Sequence, residues 1–360
     1  MFFEFYNKKI SAMITILPKN ESCFDDEISN YNFPIEKSLK LKKLMGYNKH
    51  RIIKGNTTAS ELAIKGFKQL FKDQIISKEE INAIVYVSQS PDYFVPQSSV
   101  IMLKKLGFQD DIITFDINQG CAGFIQGLFQ AFWLLNTPSI KKVALVTTDI
   151  LSKKINKQDR NSYPLAGDGA AITIIENCEE KDSNNSIFCY NKTFSNEAMA
   201  LNIPAGGFKT PSTPETAKNI QDEHGNIRSL DNLTMEGASV FSFVMEKVPK
   251  MICDLLNKAN LAKDDINYFL CHQPNKFMLE KLADAIEVCY EKMPNNIVEN
   301  FGNNNSVTIP TNICFNLNDI ITKRPQKVFF AGFGVGLTLA GIIMDLNPIP
   351  YLKMIDFEEN

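Results

Sequence analysis

Apolar residues recur along the chain in two kinds of run, which together predict alternating strands and helices. Short, nearly continuous apolar runs such as 143–147 and 328–331 are typical of buried strands. The apolar positions of 232–261 instead recur at helical spacing and predict a long helix. Buried strands that alternate with helices indicate an α/β layered fold with a largely parallel or mixed sheet.

The two halves of the chain share one pattern. Three pairs of segments correspond in order: 78–87 with 263–272, Lys142-Val143 with Lys327-Val328, and Gly167-Asp168-Gly169 with Gly334-Val335-Gly336. The first two pairs have the same spacing, because 263 − 78 and 327 − 142 both equal 185. Short strand–helix units can look alike by chance, but matches in order predict a duplicated fold.

The repeat predicts an N-terminal half over 1–185, a connecting region over 186–230 and a C-terminal half over 231–360. The polar segment 179–185 predicts an exposed turn. Within the connecting region, 204–230 is rich in Gly, Pro, Thr and charged residues and has no periodicity, so it predicts a long surface loop.

Composition excludes several classes of protein. The net charge of −3 makes nucleic acid an improbable partner. No run of about 18 apolar residues is present, so we expect no membrane span, and the start of the chain does not resemble a signal peptide. The eight cysteines include no Cys-x-x-Cys pair, which favours reduced thiols in a cytoplasmic protein. The three histidines lack chelating spacing to cysteine, so we expect no metal site.

Cys121 is the first candidate for chemistry. It lies in Asn118-Gln119-Gly120-Cys121-Ala122-Gly123, between a predicted strand over 112–116 and an apolar predicted helix over 124–135. Unpaired N–H groups and the helix dipole at such a junction stabilise a thiolate. The small neighbours would leave room for a substrate carbonyl. A buried structural cysteine is the alternative interpretation.

Two further segments belong with Cys121 by position. His272 follows a predicted strand, at the carboxyl end where catalytic groups gather in α/β sheets, and precedes a helix predicted over 276–286. A lone histidine is nevertheless more often structural. The loop 301–306 contains position 306, which lies 185 residues after Cys121. Such an Asn- and Gly-rich run usually marks only a turn, but here we expect it to face the cysteine. A helix is predicted to follow it over 310–321.

Gly332-Phe333-Gly334-Val335-Gly336 follows another predicted strand. A dinucleotide-binding turn is one interpretation, but a strand follows it instead of a helix, and no acidic residue stands about twenty positions later. A tight turn that presents backbone N–H groups to an oxyanion fits better.

Together these segments resemble the β-ketoacyl-acyl carrier protein synthase III family. The pieces occur in family order and cover the chain from about residue 55 onward: Gly120-Cys121-Ala122-Gly123-Phe124, Gly167-Asp168-Gly169-Ala170-Ala171, His272-Gln273-Pro274-Asn275, Gly302-Asn303 and Gly332-Phe333-Gly334. The resemblance implies the thiolase-like, duplicated five-layer αβαβα fold.

The resemblance also implies roles for individual residues. Cys121 would be the nucleophile that accepts an acyl group, and the backbone N–H groups of Cys121 and Val335 would form the oxyanion hole. His272 and Asn303 would hold the thioester oxygen of a malonyl-type extender during decarboxylation. The resulting enolate would attack the acyl-cysteine, and Phe333 would form a wall of the site.

The implied substrates are thioesters of coenzyme A or acyl carrier protein, with no permanently bound cofactor. Arg160, Asn275 and Lys276 correspond to carrier-binding positions. Bacterial housekeeping members carry an adenine-stacking Trp near the segment that corresponds to 40–46, whereas the single Trp here is Trp133. Acyl carrier protein therefore stands as an alternative to coenzyme A for delivery of the acyl group.

Three functions remain open at this point. The first is decarboxylative condensation, and the second is acyl transfer to a hydroxyl or amine of a sugar or other metabolite. The third is a non-catalytic partner subunit, which the intact Cys-His-Asn set disfavours. Family members form homodimers in which a loop enters the partner's pocket; here that loop is 90–97, with Tyr93, Phe94 and Val95 as candidates.

Overall fold

The structure, a computed structural model, describes residues 1–178 and 186–359. The predicted turn at 179–185 lies outside the described residues. The strands are β1 (Phe2–Tyr6), β2 (Lys8–Pro18), β3 (Glu21–Cys23), β4 (Lys49–Arg51), β5 (Ala83–Val87), β6 (Ile113–Ile117), β7 (Lys142–Asp149), β8 (Gly169–Asn177), β9 (Ser186–Thr193), β10 (Leu201–Asn202), β11 (Ile220–Gln221), β12 (Ile227–Arg228), β13 (Thr234–Met235), β14 (Tyr268–Cys271), β15 (Gln326–Gly334), β16 (Thr338–Leu346) and β17 (Tyr351–Phe357). The helices are α1 (Phe24–Glu27), α2 (Ile35–Met45), α3 (Ala59–Lys72), α4 (Ser98–Leu106), α5 (Gly123–Leu134), α6 (Gly237–Ala259), α7 (Lys276–Ile286), α8 (Ile297–Phe301), α9 (Thr308–Asn316) and α10 (Asn318–Ile321).

Two mixed sheets form the framework. The first is six-stranded in the order β17-β2-β8-β7-β5-β6, and the second is five-stranded in the order β1-β9-β16-β15-β14. In each sheet a parallel pair, β5 with β7 or β14 with β15, is followed by an antiparallel pair, β7 with β8 or β15 with β16. The two sheets therefore have the same core topology, as the repeat predicts.

The duplication extends to individual hydrogen bonds. Asn82 donates its backbone N–H to the carbonyl of Lys142 at 3.0 Å, and Asn267 donates to Lys327 at 2.9 Å. The side-chain oxygens of these asparagines accept from the backbone N–H of the same lysines, at 3.0 and 2.8 Å. Both pairs are 185 residues apart in sequence.

Five layers stack in the order helix, sheet, helix, sheet, helix. Because successive side chains of a strand point to opposite faces, Ile84 packs with the outer helices α3 and α4, while Val85 packs with the central helices α5 and α9. In the second sheet Phe330 faces the same central helices, and Phe329 faces the outer helices α6 and α7. Strands covered on both faces explain the continuous apolar runs, and the αβαβα prediction is confirmed.

The predicted boundaries at 185 and 230 differ from the division into sheets. β1, from the start of the chain, pairs with β9 in the second sheet, and β17, from the end, pairs with β2 in the first. β9 itself begins in the region predicted as a connection. Each sheet completes its hydrogen-bonded ladder with strands from outside its own half, so the halves are interlocked.

Two local predictions also need correction. The segment 204–230 is not wholly irregular, because β11 and β12 form an antiparallel hairpin within it. The helix predicted over 310–321 is interrupted at Leu317, whose φ of −120° departs from helical geometry and separates α9 from α10. Within the part of the chain that the structure describes, no helix has the length and hydrophobicity needed to cross a bilayer.

Candidate active site

Cys121 lies on the loop between β6 and α5, two residues before the helix begins. The flanking glycines are required by close packing. A Cβ on Gly120 would lie 2.3 Å from Oε1 of Gln89, and one on Gly123 would lie 3.0 Å from Cβ of Ser306. The space beside these two glycines is therefore filled by side chains of β5 and of neighbouring loops, whereas the sequence suggested that it would admit a substrate.

The resting state of Cys121 is a thiol. Burial raises the pKa of Cys121 to about 11, although the backbone N–H groups of Val335 and of Cys121 itself lower that pKa. The stabilisation of a thiolate expected from the helix junction is therefore opposed by the cost of burying the charge, and the raised pKa favours the thiol in the free protein. The same two N–H groups are those that the resemblance assigns to an oxyanion hole.

The Asn-rich loop packs against the cysteine. The thiol of Cys121 lies 3.3 Å from Oδ1 of Asn305. Nδ2 of Asn305 donates to Oδ2 of Asp149 at 2.7 Å, at the end of β7. Asp149 is buried, and burial raises its pKa to about 7 against the opposing effect of its hydrogen-bond donors.

His272 follows β14 directly and is buried with 1% of its surface exposed. Its Nδ1 makes a 2.9 Å hydrogen bond with Oγ1 of Thr308, and its ring packs edge-on against Phe333 with 5.8 Å between ring centroids. Burial lowers the pKa of His272 to about 3, although the backbone carbonyl of Asn305 partly opposes this. The imidazole is therefore neutral at physiological pH.

Asn303 is positioned by backbone pairing with the segment around Gly167. Its N–H donates to the carbonyl of Leu165 at 2.6 Å, and its carbonyl accepts from Gly167 at 3.2 Å. This close approach requires Gly302, which has a φ of +79° and whose Cβ would lie 2.2 Å from the carbonyl oxygen of Ala166. Two glycine-containing motifs that are distant in sequence therefore act together to place Asn303.

Cys121 and Asn303 meet in one cavity of about 110 Å³. Its polar end and its largely apolar walls are formed by Gln89, Cys121, Leu151, Ile155, Asn161, Ser162, Leu165, Ala166, Leu201, Leu233, Met235, Asn303, Asn305 and Val335. His272 and Phe333 are not among the described residues that line it. A more open cleft of about 650 Å³ elsewhere, around Arg51 and Phe301, contains none of the candidate catalytic residues.

Comparison with known proteins gives the same family as the sequence motifs. Residues 115–191 match the family model for 3-oxoacyl-[acyl-carrier-protein (ACP)] synthase III, and residues 256–346 match the model for its C-terminal part. A β-ketoacyl-[acyl-carrier-protein] synthase III of Lactobacillus helveticus is 31% identical over 82% of this chain and 86% of that protein. The corresponding protein of Lactococcus lactis is 30% identical over 83% and 88%. The chain belongs to the β-ketoacyl-acyl carrier protein synthase III family. A solved 3-oxoacyl-(acyl-carrier protein) synthase of Burkholderia xenovorans superposes with a TM-score of 0.90 at 28% identity, covering 99% of each chain.

Residues assigned to carrier binding by likeness to the synthase III family are not among the described residues that line the cavity, although Asn161, the neighbour of Arg160, is. The guanidinium of Arg160 stacks 3.7 Å from the ring centroid of Phe33. Asn275 caps α7 by accepting from the N–H of Met278 at 2.8 Å, and the stem of Lys276 packs on Gly46. Asn275 therefore has a structural role, which the sequence did not suggest.

The loop residues Phe94 and Val95 are 69% and 83% exposed and, among described residues, do not line the cavity. Phe94 contacts the ring of Phe208 with 5.2 Å between centroids. In this single chain both side chains therefore contribute exposed apolar surface.

Sequence analysis missed Asn305, Asp149 and Thr308. The repeat spacing of 185, counted from Cys121, leads to position 306, one residue after Asn305. The repeat therefore indicated this loop but not the residue within it. Asp149 ends an apolar strand and belongs to none of the motifs that the sequence analysis identified.

Proposed function

We propose that this synthase III family member transfers an acyl group from a thioester to Cys121 and condenses it with a malonyl thioester, releasing carbon dioxide. One observation carries the proposal: Cys121 and Asn303 line one largely apolar cavity together with Val335, and the backbone N–H groups of Cys121 and Val335 lower the pKa of the thiol. Donors held in this way stabilise the negative oxygen of a tetrahedral intermediate.

The acyl group would occupy the cavity wall formed by residues such as Leu165, Leu233 and Met235. In the first step the S–H bond of Cys121 and the acyl–sulfur bond of the carrier break. A new acyl–sulfur bond forms on Cys121, and the proton ends on the carrier's sulfur.

In the second step the bond between the malonyl carbon and its carboxylate breaks. The electron pair passes into an enolate, whose oxygen would be held by hydrogen bonds from His272 and the Asn303 amide. Because its pKa is lowered to about 3, His272 would be neutral and would donate from Nε2, with Nδ1 accepting the hydrogen bond from Oγ1 of Thr308. The enolate carbon then attacks the acyl carbon, and the Cys121 sulfur leaves. Transfer to a hydroxyl or amine is not favoured, because the relatives reported above are named as synthases.

We assign acyl carrier protein as the carrier of the malonyl extender. The carrier of the first acyl group is either coenzyme A or acyl carrier protein, and rates with the two thioesters distinguish them. Phe33 stacks on one face of Arg160, which is a candidate carrier-binding residue. If coenzyme A delivers the primer, Phe33→Ala should raise KM for acyl-coenzyme A while leaving the rate with the acyl carrier protein thioester unchanged. Equal effects on both carriers would exclude this site as a nucleotide contact.

We further propose a homodimer in the cytoplasm, where cysteine thiols stay reduced. β6 is an edge strand with Ile113 and Phe115 more than 40% exposed, and Phe94 and Val95 of the loop 90–97 are also exposed. Unpaired edges and apolar patches of this kind are normally covered. Light scattering at micromolar concentration should give the mass of two chains, and a monomeric mass would contradict the proposal.

Intact-protein mass spectrometry tests the acyl transfer. After incubation with a panel of acyl thioesters, the wild-type mass should increase by one acyl group that maps to Cys121. Cys121→Ser should not acquire the thioester-linked group, and the exposed Cys253 provides an internal control for nonspecific labelling. An adduct mainly on another cysteine would overturn the assignment.

A further inference from the structure

Asn305 bridges the candidate nucleophile and a buried carboxylate. Its Oδ1 lies 3.3 Å from the Cys121 sulfur, and its Nδ2 lies 2.7 Å from Oδ2 of Asp149. The side chain is 7% exposed, and its backbone has a φ of +57°. Asparagine adopts this left-handed conformation more readily than most residues, so the loop geometry suits this residue type.

The surroundings of Asp149 determine which way the Asn305 amide points. Oδ1 of Asp149 accepts from the backbone N–H of Gln89 at 2.8 Å and from Oγ of Ser90 at 3.1 Å. Above its pKa of about 7 the Asp149 carboxylate is ionised and only accepts hydrogen bonds, so at pH 8 its other oxygen selects the NH₂ end of the Asn305 amide. The carbonyl end must then face Cys121, where it can accept only from a protonated sulfur.

We propose that Asp149, acting through Asn305, holds Cys121 as a thiol in the resting enzyme and thereby limits its reactivity until an acyl thioester arrives. Asn305 and Asp149 are positioning residues in this account. The inference deepens the proposed acyl transfer and rests on it for its biological meaning. A hydrogen bond to the protonated form disfavours the charged form, as does a nearby negative charge.

The device has a direct chemical consequence. Most electrophiles and oxidants react with the thiolate and not with the thiol. A resting thiol therefore protects the enzyme from adventitious alkylation. During acyl transfer the proton leaves the Cys121 sulfur and ends on the carrier's sulfur, so no external base is consumed over the complete step.

Two nearly isosteric substitutions should move the reactivity of Cys121 in opposite directions. Asp149→Asn removes a negative charge and places an NH₂ group opposite Asn305. The Asn305 amide must then turn its carbonyl toward position 149, which directs its NH₂ to the sulfur and stabilises the thiolate. Asn305→Asp instead leaves only acceptor oxygens beside the sulfur, and aspartate also tolerates the left-handed backbone.

The assay is the pH profile of iodoacetamide alkylation at Cys121, followed by peptide mass spectrometry without any acyl thioester. The exposed Cys253 in the same sample serves as an internal reference. Asp168 and Tyr86, which interact electrostatically with Asp149, are unchanged in both variants. Relative to wild type at pH 8, Asp149→Asn should react about tenfold faster and Asn305→Asp several-fold slower.

A general loosening of the site would accelerate both variants, and a purely structural role would leave both pH profiles unchanged. Either result, or shifts of the reversed sign, overturns the inference. Circular dichroism checks folding, and if one variant does not fold, the direction of the other decides. Alkylation needs no acyl donor, so its outcome is separate from that of the acylation and carbon dioxide measurements.

Discussion

Gly334→Ala should strongly slow the acyl transfer at Cys121 with a limited effect on folding. Gly334 ends β15 with a φ of +151°, and a Cβ at this position would lie 2.7 Å from both Cβ and Sγ of Cys121. The glycine therefore allows the turn that carries the Val335 N–H to approach the cysteine. An added methyl group must displace either the thiol or this turn.

The size of the effect follows from the distances. Carbon atoms pack at about 3.5 Å, so the contact of 2.7 Å requires a displacement of about 0.8 Å. A misplacement of about 1 Å at a reacting centre can reduce the rate about 10²-fold. The unfavourable backbone conformation should lower the free energy of unfolding by about 1–3 kcal/mol.

The rate of acyl-enzyme formation should be measured by rapid-quench mass spectrometry, and stability by urea unfolding. Gly237→Ala is the matched control, because nothing lies within 4 Å of a Cβ at Gly237, where α6 begins. It should acylate at the wild-type rate. If Gly334→Ala also acylates at the wild-type rate, the proposed contact between this turn and the thiol is wrong.

Three other predictions concern His272 and the core. The NMR signals of the His272 ring should not titrate between pH 8 and 5, because burial lowers its pKa to about 3. A ring titration near pH 6.5 would contradict the burial argument. Because the unfolded chain takes up this proton below about pH 6.5, His272 should make the protein less stable as pH falls from 6.5 toward 3. Thr308→Val removes the hydrogen bond to Nδ1 of His272. It should slow carbon dioxide release about tenfold or more and leave acylation of Cys121 unchanged. Equal losses in both steps would refute this role of Thr308. Gly127→Ala should cost about 1–3 kcal/mol in urea unfolding, because its Cβ would lie 2.3 Å from Cδ1 of Leu145, and an unchanged or raised stability would show that the core can adjust.

Local pattern was enough to predict the layered fold and much of its order. Apolar runs identified the strands around 143–147 and 328–331, and α7 has the predicted bounds Lys276–Ile286. These features depend on short-range periodicity and on burial of strands on both faces. The exchange of β1 and β17 between the sheets was not predictable in this way, because a strand's own pattern does not specify its partner.

In the candidate site too, features of local sequence were predictable and contacts between distant residues were not. The small residues around Cys121 and the position of His272 after a strand were visible in the sequence. The contact between Asn305 and Asp149 joins residues 156 positions apart, and periodicity gives no information about such a pair. The protonated state of Cys121 was also missed, because the sequence showed the helix junction but not the extent of burial.

The central claim is a division of labour between acyl transfer and decarboxylation, and one measurement tests it directly. His272→Ala and Asn303→Ala should be compared with wild type for acyl-enzyme formation and for release of labelled carbon dioxide from malonyl-acyl carrier protein. Both variants should still acylate Cys121, whereas carbon dioxide release should fall about 10²–10³-fold, the usual cost of losing one such donor. Loss of acylation and of carbon dioxide release in equal proportion would contradict the account, as would a wild-type enzyme that releases no carbon dioxide with any acyl primer.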